Sequence, residues 1–137
     1  MHMLGEPKTM QTNPSYRDVV KEISSELLTT AQQLVDAGHE PNRICLDPGI
    51  GFGKTLDHNI DLLKGWETLR GEHDFPILWG VSRKSMIGQL TGQSASEDRL
   101  FGTLGVAAYA NDVGIDWLRV HDVQAHSDLL NVLRALD

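Results

Sequence analysis

Apolar residues recur at helical spacing in several stretches of the chain. Between residues 19 and 35 they fall on one stripe, as expected for an amphipathic helix over residues 15–37. Pro14 and Ser15 suit the start of this helix, and Gly38 suits its end. Similar spacing predicts further helices over residues 55–69, 86–90, 94–112 and 125–136. The pair Ser94 and Glu97 has the pattern of a capping box at the start of the helix over residues 94–112.

Short apolar runs alternate with these helices and predict buried strands. They cover residues 44–46, 76–81 and 116–120, and residues 1–5 have the composition of the end of another strand. Continuous apolar strands between amphipathic helices indicate parallel pairing, with helices covering both faces of the sheet. The predicted fold class is therefore α/β, and residues 1–137 form one domain or one piece of a domain.

The stretch from Leu46 to Lys54 is a glycine-rich loop that follows a predicted strand. Asp47 is followed by glycines at alternate positions 49, 51 and 53. A carboxylate beside bare backbone N–H groups suits a polar, nitrogen-rich small molecule. Other interpretations stay open, because Asp47 could serve only a turn, Phe52 could fill the core or cover a flat ring, and Lys54 could be a solvated charge. Pro48 stands where a phosphate-binding P-loop requires glycine, and the spacing excludes the dinucleotide pattern.

Polar residues also follow the other predicted strands. Ser82, Arg83 and Lys84 follow one, while Arg119, His121 and Asp122 end another. The carboxyl ends of parallel strands share one edge, where ligands bind, so we expect these groups and Asp47 around one space. Lys84 is favoured over Arg83 because adjacent residues do not point the same way. Strand alternation places Arg119 and His121 on one face, opposite Val120, as an anion clamp. The alternative is a surface ion pair with Asp122 or Asp116.

Composition restricts the class of protein. The net charge of −7 argues against a nucleic-acid or anionic membrane surface. The apolar content of 40% is that of a globular protein, and the low aromatic content of 6% predicts an aliphatic core. The one cysteine, Cys45, excludes an internal disulfide and is predicted to face the core. The sequence contains no signal-peptide pattern and no apolar run of membrane-spanning length, so we expect a cytoplasmic protein.

Four motifs together resemble one family, dihydropteroate synthase. They are Met1-His2-Met3 with Pro7-Lys8-Thr9-Met10, the stretch from Leu46 to Lys54, Gly80-Val81-Ser82-Arg83-Lys84-Ser85, and Arg119-Val120-His121-Asp122. The resemblance implies a (β/α)8 TIM barrel, which needs ~250 residues. It implies that this chain is the C-terminal half, from about the end of the fifth strand to the eighth helix. The first four βα units would then be absent.

The resemblance implies condensation of 6-hydroxymethyl-7,8-dihydropterin diphosphate with 4-aminobenzoate, giving 7,8-dihydropteroate and diphosphate in folate biosynthesis. Asp47 would bind the amidine edge of the pterin, and Met1 would line the pterin pocket. Phe52 and Ser82 would lie near the aminobenzoate. The implied catalytic residues are Lys84 near the reacting centre and Arg119 and His121 on the diphosphate. Gly80 and Val120 complete the implied set of substrate-binding residues.

The family also implies Mg²⁺, with its protein ligand in the missing N-terminal half, and sensitivity to sulfonamides. No metal ligand is therefore assigned in this chain. We expect the chain alone to bind its substrates weakly, to lack turnover and to self-associate, as a homodimer or otherwise. The alternatives are a non-catalytic pterin-binding chain, or half-barrel, that works with a partner chain, and a methyltetrahydrofolate methyltransferase-type pterin-binding barrel. We expect no nucleic-acid or membrane partner.

Overall fold

The computed structural model describes residues 1–136. The chain divides into two compact units, Met1–Trp79 and a second unit that begins at Gly80. Both contain helices and short extended segments, so the predicted mixed α/β class is confirmed.

The first unit is built on a long helix and a parallel pair of extended segments. Its elements are α1 (Val19–Asp36), a 3-10 turn (Pro41–Arg43), α2 (Leu56–Lys64), α3 (Trp66–Arg70) and β1 (Leu78–Trp79). Helix α1 packs against α2 and α3. Leu46 pairs in parallel with Ile77, since its N–H donates to the Pro76 carbonyl at 2.8 Å and its own carbonyl accepts from the Leu78 N–H at 2.8 Å. The parallel pairing is as predicted, but the regular strand is shorter.

Helix α1 begins later than the sequence pattern suggested. Asp18 has an extended backbone, and its carboxylate accepts a hydrogen bond from the Lys21 N–H at 3.1 Å. Glu22 closes the cap by accepting from the Asp18 N–H at 2.8 Å. The predicted start at Ser15 is therefore wrong, because an aspartate with this geometry satisfies the first free amides of the helix.

The second unit consists mainly of helices. Its elements are α4 (Ser85–Thr91), a 3-10 turn (Glu97–Arg99), α5 (Leu100–Asp112), β2 (Trp117–Leu118) and α6 (Val123–Leu136). Helix α5 packs against α4 and α6. The capping box predicted from Ser94 and Glu97 does not form. The Glu97 carboxylate instead accepts from the Ser96 hydroxyl at 3.0 Å. The guanidinium of Arg99 donates to the carbonyls of Gln93 and Ser94, and the 3-10 turn leads into α5.

Three further predictions about the elements are wrong. The helix expected over residues 55–69 is two helices, separated at Gly65. Leu34 lies outside the buried stripe of α1. Cys45 is exposed rather than in the core, because its neighbours Ile44 and Leu46 are buried and an extended chain points alternate residues to opposite sides. None of the helices in the described part of the chain is both long and apolar enough to cross a membrane. The cytoplasmic location stays a prediction.

The buried stripe of α1 carries the first testable prediction. Ile23 is 0% exposed and Leu34 is 39% exposed on the same helix. Ile23→Ala should lower the free energy of unfolding by about 2–5 kcal/mol, because it removes buried methyl groups and leaves a cavity. The matched Leu34→Ala variant should change it by less than about 1 kcal/mol. Urea unfolding of both variants measures the difference, and equal losses would contradict this burial pattern.

Candidate functional site

Asp47 lies where the paired segment at Leu46 gives way to the glycine loop, and it is buried. Its Oδ1 accepts a hydrogen bond from the Gly49 N–H at 2.8 Å. This is the side-chain turn that an aspartate two residues before an amide commonly forms. A carboxylate has about four acceptor positions, so this bond does not by itself use up the hydrogen-bonding capacity of Asp47.

The glycine loop uses several of its own amides internally. Besides the Gly49 amide, the Gly51 N–H donates to Asn59 Oδ1 at 2.7 Å, and the Phe52 N–H donates to the Gly49 carbonyl at 3.0 Å. The prediction of bare N–H groups beside Asp47 is therefore wrong for these three amides. The loop turns back on itself, and this folding consumes donors that a phosphate cradle would present.

Glycine is required at position 49 by both conformation and space. Gly49 has φ +67°, and a Cβ there would lie 1.8 Å from the carbonyl oxygen of His2. The His2 N–H in turn donates to the Asp47 carbonyl at 3.0 Å. The start of the chain therefore lies directly against the loop. Met1, the predicted pterin-pocket residue, belongs to this segment and is exposed.

Lys54 is buried, at 4% exposure, so its interpretation as a solvated charge is wrong. Its Nζ donates to the carbonyls of Gly49 at 3.0 Å and Phe52 at 2.9 Å. The same Nζ lies 3.0 Å from His2 Nδ1. A buried ammonium is stable only when its protons find acceptors, and here three acceptors surround it. The local sequence contains no signal for this role, because two of the acceptors are backbone carbonyls and the third comes from the start of the chain.

His2 and Tyr16 also contact this loop region. Burial and the nearby Lys54 charge lower the pKa of His2, against an opposing influence from Glu26, whose Oε2 lies 3.6 Å from Nε2. The Tyr16 O–H donates to the Gly53 carbonyl at 3.0 Å, and burial with nearby glutamates raises its pKa to about 12. Phe52 is half-buried, so it does not fill the core.

The second unit brings six of the predicted residues around one cavity. The cavity has a volume of about 230 Å³ and is lined by Gly80, Ser82, Lys84, Arg119, Val120 and His121. Gly80 makes room for the arginine, since a Cβ at this position would lie 2.9 Å from Arg119 Nη2. Lysine, arginine and histidine around one small cavity form an arrangement suited to an anion. The other three predicted residues, Met1, Asp47 and Phe52, belong to the first unit.

Ser82 is buried and orients His121. Its Oγ accepts from the His121 N–H at 3.2 Å and lies 2.9 Å from His121 Nδ1. When the Ser82 hydroxyl donates its one proton to Nδ1, the proton of the neutral ring is on Nε2. Ser82 thereby holds both the backbone and the ring of His121. The implied position of Ser82 beside the aminobenzoate stays a prediction.

Arg83 adopts a left-handed backbone conformation, with φ +58°, between Ser82 and Lys84. Its guanidinium pairs with both oxygens of Asp122, Nε to Oδ2 at 3.0 Å and Nη2 to Oδ1 at 2.5 Å. Its N–H donates to Thr103 Oγ1 at 3.2 Å, and its carbonyl accepts from Arg99 Nη1 at 2.9 Å. The sequence motifs did not identify Thr103 or Arg99. An unfavourable conformation fixed from both sides of the peptide is typical of functional loops.

Lys84 lines the cavity, while Arg83 pairs with Asp122. Over residues 1–136, no group of three or more histidine, cysteine, aspartate or glutamate side chains is placed to hold a metal ion.

The pairing of Arg83 with Asp122 predicts a pH response. Hydrogen bonds from Arg83 lower the pKa of the Asp122 carboxyl. A lowered carboxyl pKa stabilises the fold above the usual value of about 3.9, and this contribution is lost as the pH falls through the lowered value. Arg83→Met should therefore raise the pKa of Asp122, measured by ¹³C NMR titration of its carboxyl. Arg134→Met, on α6, should leave it unchanged, and an unchanged value in both variants would contradict the pairing.

Comparison with known proteins identifies the family. The family model of pterin-binding enzymes matches residues 1–121. The chain is 48% identical to a dihydropteroate synthase of Neisseria meningitidis serogroup C, covering 99% of this chain and 48% of that protein. It is 44% identical to the dihydropteroate synthase of Escherichia coli K12, covering 98% of this chain and 47% of that protein. The chain thus spans about half the length of these curated relatives.

Solved structures show the same relationship. A dihydropteroate synthase from Thermus thermophilus superposes with a TM-score of 0.90 at 40% identity, over 98% of this chain and 53% of that one. Structures of the Thermus thermophilus enzyme contain 4-aminobenzoate or 6HMPPP. The resemblance seen in the four motifs is confirmed, and it extends over nearly the whole chain. The chain belongs to the family of pterin-binding enzymes, in which these relatives are dihydropteroate synthases.

Proposed function

We propose that this chain supplies the pterin-binding and diphosphate-binding residues of a dihydropteroate synthase. The observation that carries the proposal is the cavity lined by Lys84, Arg119 and His121, with Gly80 making room for the arginine. The relatives' structures with 4-aminobenzoate and 6HMPPP support the substrate class. We further propose that the chain corresponds to the C-terminal half of a (β/α)8 barrel.

In the proposed reaction, the amine nitrogen of 4-aminobenzoate attacks the methylene carbon next to the pterin ring. A C–N bond forms, the bond from this carbon to the diphosphate oxygen breaks, and the amine loses a proton. Negative charge grows on the departing diphosphate as its bond breaks. Arg119, His121 and Lys84 would stabilise this charge more strongly in the transition state than in the bound substrate, which is electrostatic catalysis.

Asp47 would bind a pterin edge. Its carboxylate accepts two parallel N–H bonds from the amidine edge of a pterin, a geometry that a charged planar acceptor favours. The internal bond from the Gly49 amide to Oδ1 fixes the plane of the carboxylate. Phe52, half-buried in the same loop, would lie near the aminobenzoate.

The chain spans about half the length of its relatives, so catalysis is proposed only together with the remaining residues of such an enzyme. We propose weak substrate binding and no turnover for these 137 residues alone, and self-association through surfaces that a complete barrel would cover. Mg²⁺ is a family expectation, and no catalytic step here depends on it.

Two substitutions separate the pterin site from the diphosphate site. Asp47→Asn keeps an oxygen for the Gly49 amide but loses the charge, so it should weaken binding of 6-hydroxymethylpterin by about tenfold or more and leave binding of inorganic diphosphate unchanged. Arg119→Met should give the reverse pattern with a similar magnitude. Titration by NMR or calorimetry measures both ligands.

Exposed residues of the same type are the controls. Asp57→Asn and Arg134→Met should bind both ligands as the unmodified chain does, because both side chains are exposed. If the chain binds neither ligand, or if Asp47→Asn and Arg119→Met match their controls, the proposed function is wrong.

Gly80 provides an independent test of the anion site. Gly80→Ala should weaken binding of inorganic diphosphate, because the new methyl group would occupy the space of the Arg119 guanidinium, 2.9 Å from Nη2. Gly105→Ala is the matched control, since a Cβ there has no neighbour within 4 Å. Equal diphosphate affinity of the two variants would show that Arg119 does not need its present position.

A further inference from the structure

Lys54 connects two ends of one turn in the glycine loop. Its ammonium donates to the carbonyls of Gly49 and Phe52, three residues apart, at 3.0 and 2.9 Å. His2 Nδ1 also lies 3.0 Å from the ammonium nitrogen and can accept a hydrogen bond from it. An ammonium has three protons, and each of these acceptors can take one. The lysine is therefore an internal clamp on the loop.

Gly49 links this clamp to the proposed ligand-binding carboxylate. The carbonyl of Gly49 accepts from Lys54, while its N–H donates to Asp47 Oδ1 at 2.8 Å. The carbonyl of Gly49 is thus held by the lysine, and its N–H is bonded to the aspartate. A shift of Gly49 would rotate or release the carboxylate of Asp47.

His2 holds the arrangement from its other side. Its backbone N–H donates to the Asp47 carbonyl at 3.0 Å, and its buried ring meets Lys54 through Nδ1. Acceptance from the lysine requires an unprotonated Nδ1, so the ring must be neutral. The other groups facing the ring are Glu26 Oε2, 3.6 Å from Nε2, the ring of Tyr16, 6.1 Å away between centroids, and the chain's amino terminus.

We propose that Lys54, together with neutral His2, is a positioning residue that fixes the Asp47 carboxylate for the pterin edge, and that acidification releases it. The inference rests on the proposed function for the identity of the ligand. Protonation of His2 would place two cations 3.0 Å apart, which weakens the contact and frees the ammonium from its place in the loop. Burial and Lys54 lower the pKa of His2, so the neutral ring persists somewhat below pH 6.5. As the pH drops below about 6.5, His2 takes up a proton in the unfolded chain before it does so in the folded chain. The free energy of unfolding therefore decreases as the pH falls.

Lys54→Met should weaken binding of 6-hydroxymethylpterin by about tenfold or more at about pH 7.5, because the charged donor to Gly49 is lost. Lys64→Met, which removes an exposed lysine from α2, is the matched control and should leave affinity unchanged. Affinity of the unmodified chain should fall as the pH drops below about 6.5, because the pKa of His2 is lowered from that value. His2→Gln should flatten this fall, since glutamine accepts from Lys54 without titrating.

Hydrogen exchange of the Gly49 amide, followed by NMR without ligand, reads the same effect directly. The exchange rate is compared with the intrinsic rate of an unprotected amide at the same pH. Relative to that rate, exchange should be faster in Lys54→Met than in the unmodified chain. In the unmodified chain the relative rate should rise on acidification, and in His2→Gln it should not. Should Lys54→Met fail to fold, the His2→Gln comparison decides the inference. A pH response that His2→Gln leaves intact, or exchange in a folded Lys54→Met that matches Lys64→Met, overturns it.

The Asp47→Asn variant separates the two failures. If it binds 6-hydroxymethylpterin as well as the unmodified chain does, the proposed function fails, and the exchange data still decide whether Lys54 holds the loop. If Asp47→Asn loses pterin binding while Lys54→Met binds like Lys64→Met, only the positioning role is overturned.

Discussion

The buried ammonium of Lys54 is the interaction on which the glycine loop depends. A charge in a nearly dry environment is costly unless every proton has an acceptor, and the loop provides two carbonyls while His2 provides a ring nitrogen. This requirement explains several local features at once. The loop must turn its carbonyls inward, Gly49 must lack a side chain, and the start of the chain must lie against the loop.

In the second unit, hydrogen bonds to and from an arginine fix the backbone of a loop. Arg83 takes a left-handed conformation, which is unfavourable for a residue with a side chain, and is held there by Asp122, Thr103 and Arg99. The result is that Lys84 lines the cavity, while the neighbouring Ser82 holds His121. In both units, residues outside the implied substrate contacts fix the backbone that carries those contacts.

The residues that were predicted well carry local signals. The apolar stripe of α1 follows from the helical spacing of its apolar residues, and the parallel pairing at Leu46 follows from short apolar runs between helices. The grouping of Lys84, Arg119 and His121 follows from their places after strands. The predictions of a buried Cys45 and of a capping box at Ser94 were wrong, because the outcome at each position depended on what the neighbouring residues do. The burial of Ile44 and Leu46 turned Cys45 outward, and the Glu97 carboxylate accepts from the Ser96 hydroxyl rather than from the backbone of Ser94.

The sequence by itself determined the alternation of helices and strands, the residue types at the strand ends and the family. These properties can be inferred from the spacing of apolar residues and from short motifs, and they do not depend on contacts between distant parts of the chain. Only the tertiary structure decided the role of Lys54, the orientation of Arg83 towards Asp122 and the internal use of the loop amides. Each of these depends on atoms from separate parts of the chain meeting within about 3 Å, and hydrogen bonding at that range decides which polar groups remain for a ligand.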